Sequence, residues 1–251
     1  MHFSGRGIDT RRLHQKTQAN KERNFAVRNN CQTNNLDLTN PAPRWPVIFL
    51  LNTSSGMDGT QIDELNEGLK RFIREIAADE AVSRSMELEV ISFGSPAKVI
   101  VPFTTIQNMV PEQISLPAGG NVAINEGIRL ALRDLKAWRK MYRDCGIPSY
   151  RPFVILMTDG GELADNCCGE QAVEELRDLG ERGKILYFGI EIGDHANHDV
   201  LQRILPAHPG PVKLKNVCFW QLFNVRHCPP ASTVPEQDNI RYLGIDDWGE
   251  F

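Results

Sequence analysis

Three short polar loops interrupt the apolar runs of this chain, and they hold most of the side chains able to do chemistry. They are Asn52-Thr53-Ser54-Ser55-Gly56-Met57, Gly119-Gly120-Asn121 and Thr158-Asp159-Gly160. Together they supply hydroxyls, amides and the carboxylate of Asp159, while Asp58 and Glu162 lie in or beside the same loops. Such groups suit hydrogen-bonded recognition of a polar partner. Each also has a plain structural reading. Asn52 and Asn121 can satisfy loop backbone groups, Asp159 can cap a turn, and Gly119-Gly120 permits positive φ.

Other reactive residues carry less. The sequence has no Gly-x-Gly-x-x-Gly, no Walker A loop and no Gly-x-Ser-x-Gly elbow, so no nucleophile-and-base constellation is legible. Cys167-Cys168 has neither a Cys-x-x-Cys spacing nor a nearby His at ligand spacing, and reads as small packing residues at a helix start. His195 and His198, with Asp194 and Asp199, form a polar knot that reads as a solvated loop. His227-Cys228 stands isolated.

The elements that must position the three loops follow from hydrophobic period. Val47 to Leu51 is a continuous apolar run, as expected of a strand covered on both faces. Ile62, Leu65, Leu69, Phe72, Ile73 and Ile76 recur at helical steps, with Thr60 as the expected N-cap and Asp63 in the first turn. Met86–Phe93 and Ala97–Phe103 read as a hairpin about Gly94-Ser95-Pro96. A second long helix runs from Ile124 past Tyr142, and Phe153–Met157 is another buried strand. A helix around Val173 to Leu179, a strand at 184–190, a short helix near Val200–Leu205 and a weak strand near Lys213 complete the pattern. Strands alternating with helices mean an α/β fold, doubly wound, with a mainly parallel sheet, one antiparallel edge strand and helices on both faces. In such sheets ligands gather at the carboxyl ends of the strands, where all three polar loops fall.

The order and content of these loops resemble a von Willebrand factor A (VWA) domain over residues 45–225. The likeness is closest to the bacterial tellurium-resistance VWA proteins of the TerY type. It is carried by Gly59-Thr60-Gln61-Ile62, Leu65-Asn66-Glu67-Gly68-Leu69, Ile91-Ser92-Phe93, Val101-Pro102-Phe103, Arg151-Pro152-Phe153, Met157-Thr158-Asp159-Gly160 and Phe219-Trp220-Gln221-Leu222-Phe223.

The resemblance implies a metal-ion-dependent adhesion site: Asp-x-Ser-x-Ser after the first strand, a Thr in the middle loop and an Asp after the fourth strand. Mapped onto this chain, Asn52 stands for the first Asp, Ser54 fits, Gly56 stands for the second Ser, Asn121 replaces the Thr and Asp159 keeps the last carboxylate. Two carboxylates become one, whereas Mg²⁺ favours a full shell of hard oxygen ligands. The expected cofactor is therefore none, with a weakened Mg²⁺ site on Asn52, Ser54, Asn121 and Asp159 as the alternative. A metal-free partner face would rest on Met57, Asp58, Asn121 and Glu162. By resemblance, the partners would be proteins of a tellurium-resistance or stress-response system, including a kinase or phosphatase.

Composition frames this reading. The chain has 251 residues, 41% hydrophobic and 24% charged, with no apolar run long enough to span a membrane. Its net charge of −4 divides unevenly, with +4 on residues 1–40 and −8 on the rest. Residues 1–44 read as a flexible basic arm, 45–225 as the VWA-like domain and 226–251 as a C-terminal tail. Six cysteines without regular spacing imply reduced thiols in a cytoplasm. The leading expectation is a non-enzymatic protein-interaction module. The rival from another class is an RNA-binding platform using the basic arm, although the arm lacks interleaved aromatics.

Overall fold

The computed structural model describes residues 39–159, 171–192, 198–205 and 212–213. Its centre is a six-stranded sheet in the order β3-β2-β1-β4-β5-β6. The strands are β1 (Trp45–Leu51), β2 (Met86–Ser92), β3 (Lys98–Thr105), β4 (Phe153–Thr158), β5 (Leu186–Glu191) and β6 (Val212–Lys213). All pairings are parallel except β2 with β3, the antiparallel hairpin expected at the edge. Pro102 lies in β3, where an edge strand tolerates a missing donor.

Every residue of β1 is buried because the strand is covered on both faces. Val47, Phe49 and Leu51 point into one core layer with Leu65, Leu69, Phe72 and Ile76 of helix α1 (Thr60–Ala77). Ile48 and Leu50 point into the other, with Ile128, Ala131 and Leu135 of helix α3 (Ile124–Cys145). Phe49 and Phe72 meet at a centroid distance of 5.1 Å. Helix α4 (Gln171–Glu181) adds Val173 and Leu176 to the α3 side, and α5 (His198–Ile204) adds Leu201 and Ile204. Among the described residues, no helix is long and apolar enough to cross a membrane.

Three local expectations change. Thr60 is the first residue of α1 rather than its cap: Gly59, at φ 84°, occupies the cap position with no side-chain bond. Asp58 Oδ1 instead accepts the Gly59 N–H at 2.9 Å, while Asp63 sits in the first turn as expected. The short helix α2 (Glu80–Ser85) was not legible from hydrophobic period. Its signal is polar: Asp79 accepts from the Ala81 and Val82 backbone N–H groups. Finally, Cys145 is disulfide-bonded, against the expectation of reduced thiols. The other five cysteines lie outside the described residues. Sequence spacing carries no information on which cysteines the fold brings together.

At the amino end of the sheet, Arg44 and Glu87 form an ion pair at 2.9 Å with side chains 0% and 4% exposed. The buried Tyr142 hydroxyl donates to Glu87 Oε2. Burial pushes the Glu87 carboxyl above its ordinary range, opposed by the Tyr142 hydrogen bond and by Arg44. Burial likewise pushes the Tyr142 hydroxyl upward, helped by the negative charge of Glu87.

Candidate functional site

Parallel strands that enter a sheet from one end must deliver their following loops to the other, so the loops after β1, β2 and β4 converge. Backbone hydrogen bonds stitch them together. Ser55 N–H donates to Gly120 O at 2.9 Å, Gly119 N–H to Thr53 O at 2.8 Å, and Asn52 N–H to Met157 O at 2.9 Å. The Gly94 N–H donates to Thr53 Oγ1 at 3.0 Å. These approaches are too close for side chains. A Cβ on Gly94 would lie 2.6 Å from Gly119 O, and one on Gly120, whose φ is 76°, would lie 2.7 Å from Ser95 O.

Asn52 lies at the centre of this weave and is fully buried. Its Oδ1 accepts the Ser54 N–H at 2.9 Å. Its Nδ2 donates to Thr158 Oγ1 at 3.1 Å and to Asp159 Oδ1 at 2.9 Å. Ser54 is 1% exposed, and Thr158 is buried at the end of β4. Asp159 is half-buried at the mouth of the crevice, with its Oδ2 near the face of Gly56. The structure thus brings together Asn52, Ser54 and Asp159, and adds Thr53 and Thr158 as partners that residue type alone did not single out.

The expected partner face is redistributed. Asp58 and Asn121 are exposed on the first and second loops. Met57 is not: its side chain is fully buried in the α1 core layer, because the single 3₁₀ turn Ser55–Met57 folds it inward. Glu162, Cys167, Cys168, Asp194 and His195 lie outside the described residues. His198 opens α5 and meets Glu191 Oε1, at the end of β5, through Nδ1 at 2.5 Å. Among the described residues, no group of three or more His, Cys, Asp or Glu side chains gathers in a way that could hold a metal. Asn66 is a further stitch: its amide donates to Leu116 O and accepts the Leu116 N–H, tying α1 to the segment before Gly119.

The model of the von Willebrand factor type A domain family matches residues 47–220, well over half of the chain. The chain belongs to the VWA domain family. No curated protein matches its sequence. Among solved structures, a von Willebrand factor type A protein from Catenulispora acidiphila is similar at 18% identity and a TM-score of 0.53. That match covers 70% of this chain and 39% of the other, so the chain spans well under half of that protein's length. A D319A mutant of the PilB minor pilin from Streptococcus sanguinis is similar at 13% identity and a TM-score of 0.50, over 72% of this chain and 60% of that one. At these identities the likeness speaks to the VWA fold, and the fold places the stitched loops at the strand ends.

Proposed function

We propose that this VWA domain is a non-enzymatic module that recognises a protein partner through its strand-end loops. The observation that carries this reading is the stitched, preorganised loop face, whose exposed tips are polar (Asp58 and Asn121) and whose frame is held by backbone hydrogen bonds. A face fixed before binding spares the ordering entropy that a loose loop loses on association. Exposed Asp58 and half-buried Asp159 make the rim acidic, and residues 41–251 hold a net −8. The complementary partner surface is therefore basic or rich in hydrogen-bond donors.

The finer assignment rests on the TerY-like segments. It puts the module in a tellurium-resistance or stress-response system, with a kinase or phosphatase of that system as partner and the cytoplasm as its location. The Cys145 disulfide sets a direct test of location, because cytosolic thiols are kept reduced. Alkylation of Cys145 in intact cells would place the module in a reducing compartment where that disulfide does not persist, and a blocked Cys145 would place it in an oxidising one.

Partner capture tests the face itself. Asp58→Lys and Asn121→Arg should each abolish capture while leaving the melting temperature unchanged. Lys140→Glu, toward the far end of α3, should capture as wild type does. Equal capture by all four proteins would exclude the strand-end loops as the binding surface.

A further inference from the structure

The orientation of one amide decides what the strand-end crevice can hold. A backbone N–H needs an acceptor, so the Ser54 N–H fixes the oxygen of Asn52 on its own side. The Asn52 Nδ2 then faces Thr158 Oγ1 and Asp159 Oδ1, both of which accept. Both ends of the amide agree on this orientation: turning it over would lose the Ser54 and Asp159 bonds together, while the Thr158 hydroxyl can serve as donor or acceptor.

A divalent cation on Asp159 would need further oxygens in its shell, close to octahedral for Mg²⁺. The group that Asn52 turns toward Asp159 is an NH₂, which carries protons and no usable lone pair. Offering its oxygen instead would strand the Ser54 N–H, where Asn52 is fully buried and Ser54 nearly so. Nor does position 56 help. Its glycine has no side-chain oxygen to give, and a Cβ there would sit 3.4 Å from Asp159 Oδ2 and 3.8 Å from Ser54 Oγ. Among the described residues, the groups at these positions do not fit the cation that the fold family implies.

We propose that the Asn52 amide takes the place of the cation, holding the Asp159 carboxylate by a hydrogen bond so that the strand-end face keeps its shape without a divalent ion. The inference concerns how the face is held, and it stands whether or not that face takes a protein partner. It also reverses the face's charge logic. An amide is neutral, so the negative charge of Asp159 is retained rather than overridden by a dication.

The test is thermal unfolding of the full chain in EDTA, Mg²⁺ and Mn²⁺, for wild type, Asn52→Asp and Asn52→Asp/Gly56→Ser. Wild type should melt at one temperature in all three conditions. Asn52→Asp replaces a donor by a second carboxylate facing the first, so both variants should melt lower in EDTA and recover by roughly 5–10 °C in millimolar Mn²⁺. Paramagnetic resonance of Mn²⁺ titrated with wild-type protein needs no variant to fold, and the free-ion signal should persist. A wild-type shift in Mn²⁺, or uptake of Mn²⁺ that Asp159→Asn removes, would overturn the proposal. So would an Asn52→Asp protein that folds and melts alike with and without metal.

Discussion

The two ends of the sheet solve the same problem in opposite ways. At the amino end, Arg44, Glu87 and Tyr142 are fully enclosed, and opposite charges meet at 2.9 Å. At the carboxyl end, the Asp159 carboxylate sits half-buried just beyond β4 and is held by a neutral amide. Enclosed charge demands a full countercharge, since removing it from water is costly and only a close partner offsets that. Charge at a rim needs only a donor, because water supplies the rest. The difference teaches which end is built for locking and which for meeting something. The amino-end network joins the segment before β1 to β2 and α3, whereas the carboxyl-end network leaves its acid at the surface.

Breaking the lock should have the largest effect. Arg44→Ala leaves Glu87 buried without its cation and should destabilise the fold by about 3–5 kcal/mol in urea unfolding. Arg44→Met with Glu87→Leu should lose much less than the single change. A double variant as unstable as Arg44→Ala would mean that packing at Arg44, rather than its charge, holds that end.

A second buried acid sharpens the comparison. Glu89, on the same face of β2 as Glu87, is 2% exposed, and its Oε2 is a buried oxygen with no hydrogen-bond partner among the described residues. Burial raises its carboxyl to about 8, with Asp134 adding to the rise and Arg133 opposing it. Glu87 and Tyr142 are the other titratable groups at this interface of β2 and α3. The folded value lies above the ordinary 4.5, so between the two the folded protein holds a proton that the unfolded chain releases. The stability that Glu89 contributes is fullest below about pH 4.5 and is lost as the pH rises through about 8, by at most ~1.4 kcal/mol per pH unit. Glu89→Gln should flatten this slope in melts taken from pH 5 to 9. Glu87 contributes in the same direction, so some slope should persist. An unchanged profile would assign the whole slope to other groups.

At the carboxyl end the effects are smaller. Asn52→Ala leaves the Ser54 N–H, Thr158 Oγ1 and Asp159 Oδ1 short of one bond each, and should cost about 1–3 kcal/mol by urea unfolding. A cost as large as that of Arg44→Ala would erase the distinction between the two ends. Asp58→Asn, at an exposed position, should stay within about 0.5 kcal/mol of wild type while weakening partner capture. A full loss of stability there would make the loop part of the frame rather than its tip.

Much of this was legible in the residues. The steps from Ile62 to Ile76 located α1, the apolar run 47–51 located the central strand, and Gly94-Ser95-Pro96 located the hairpin. Those signals are local, since a helix or strand imposes its period on neighbours in the chain. The site was legible only as a set of loops. Asn52 was visible as an amide in a strand-end loop, but its bonded partners Thr158 and Asp159 lie over a hundred residues away. Met57 read as a loop residue and proved to be core, because one 3₁₀ turn reverses which way a side chain faces.

The sequence by itself determined the alternation of strands and helices, the burial of the sheet on both faces, the single antiparallel edge and the gathering of polar loops at one end. Each follows from hydrophobic period and from the rule that parallel strands send their loops to a common end. The exception is Gly119-Gly120-Asn121, in the connection after antiparallel β3, which is held there by its bonds to Thr53 and Ser55. Only the tertiary structure decided that Cys145 is disulfide-bonded, that Glu87 meets Arg44 and Tyr142, and that the Asn52 amide turns its donor toward Asp159. These are contacts between distant segments, set by register and packing. An amide is donor and acceptor at once, and only the neighbours that the fold brings to it decide which end does the work.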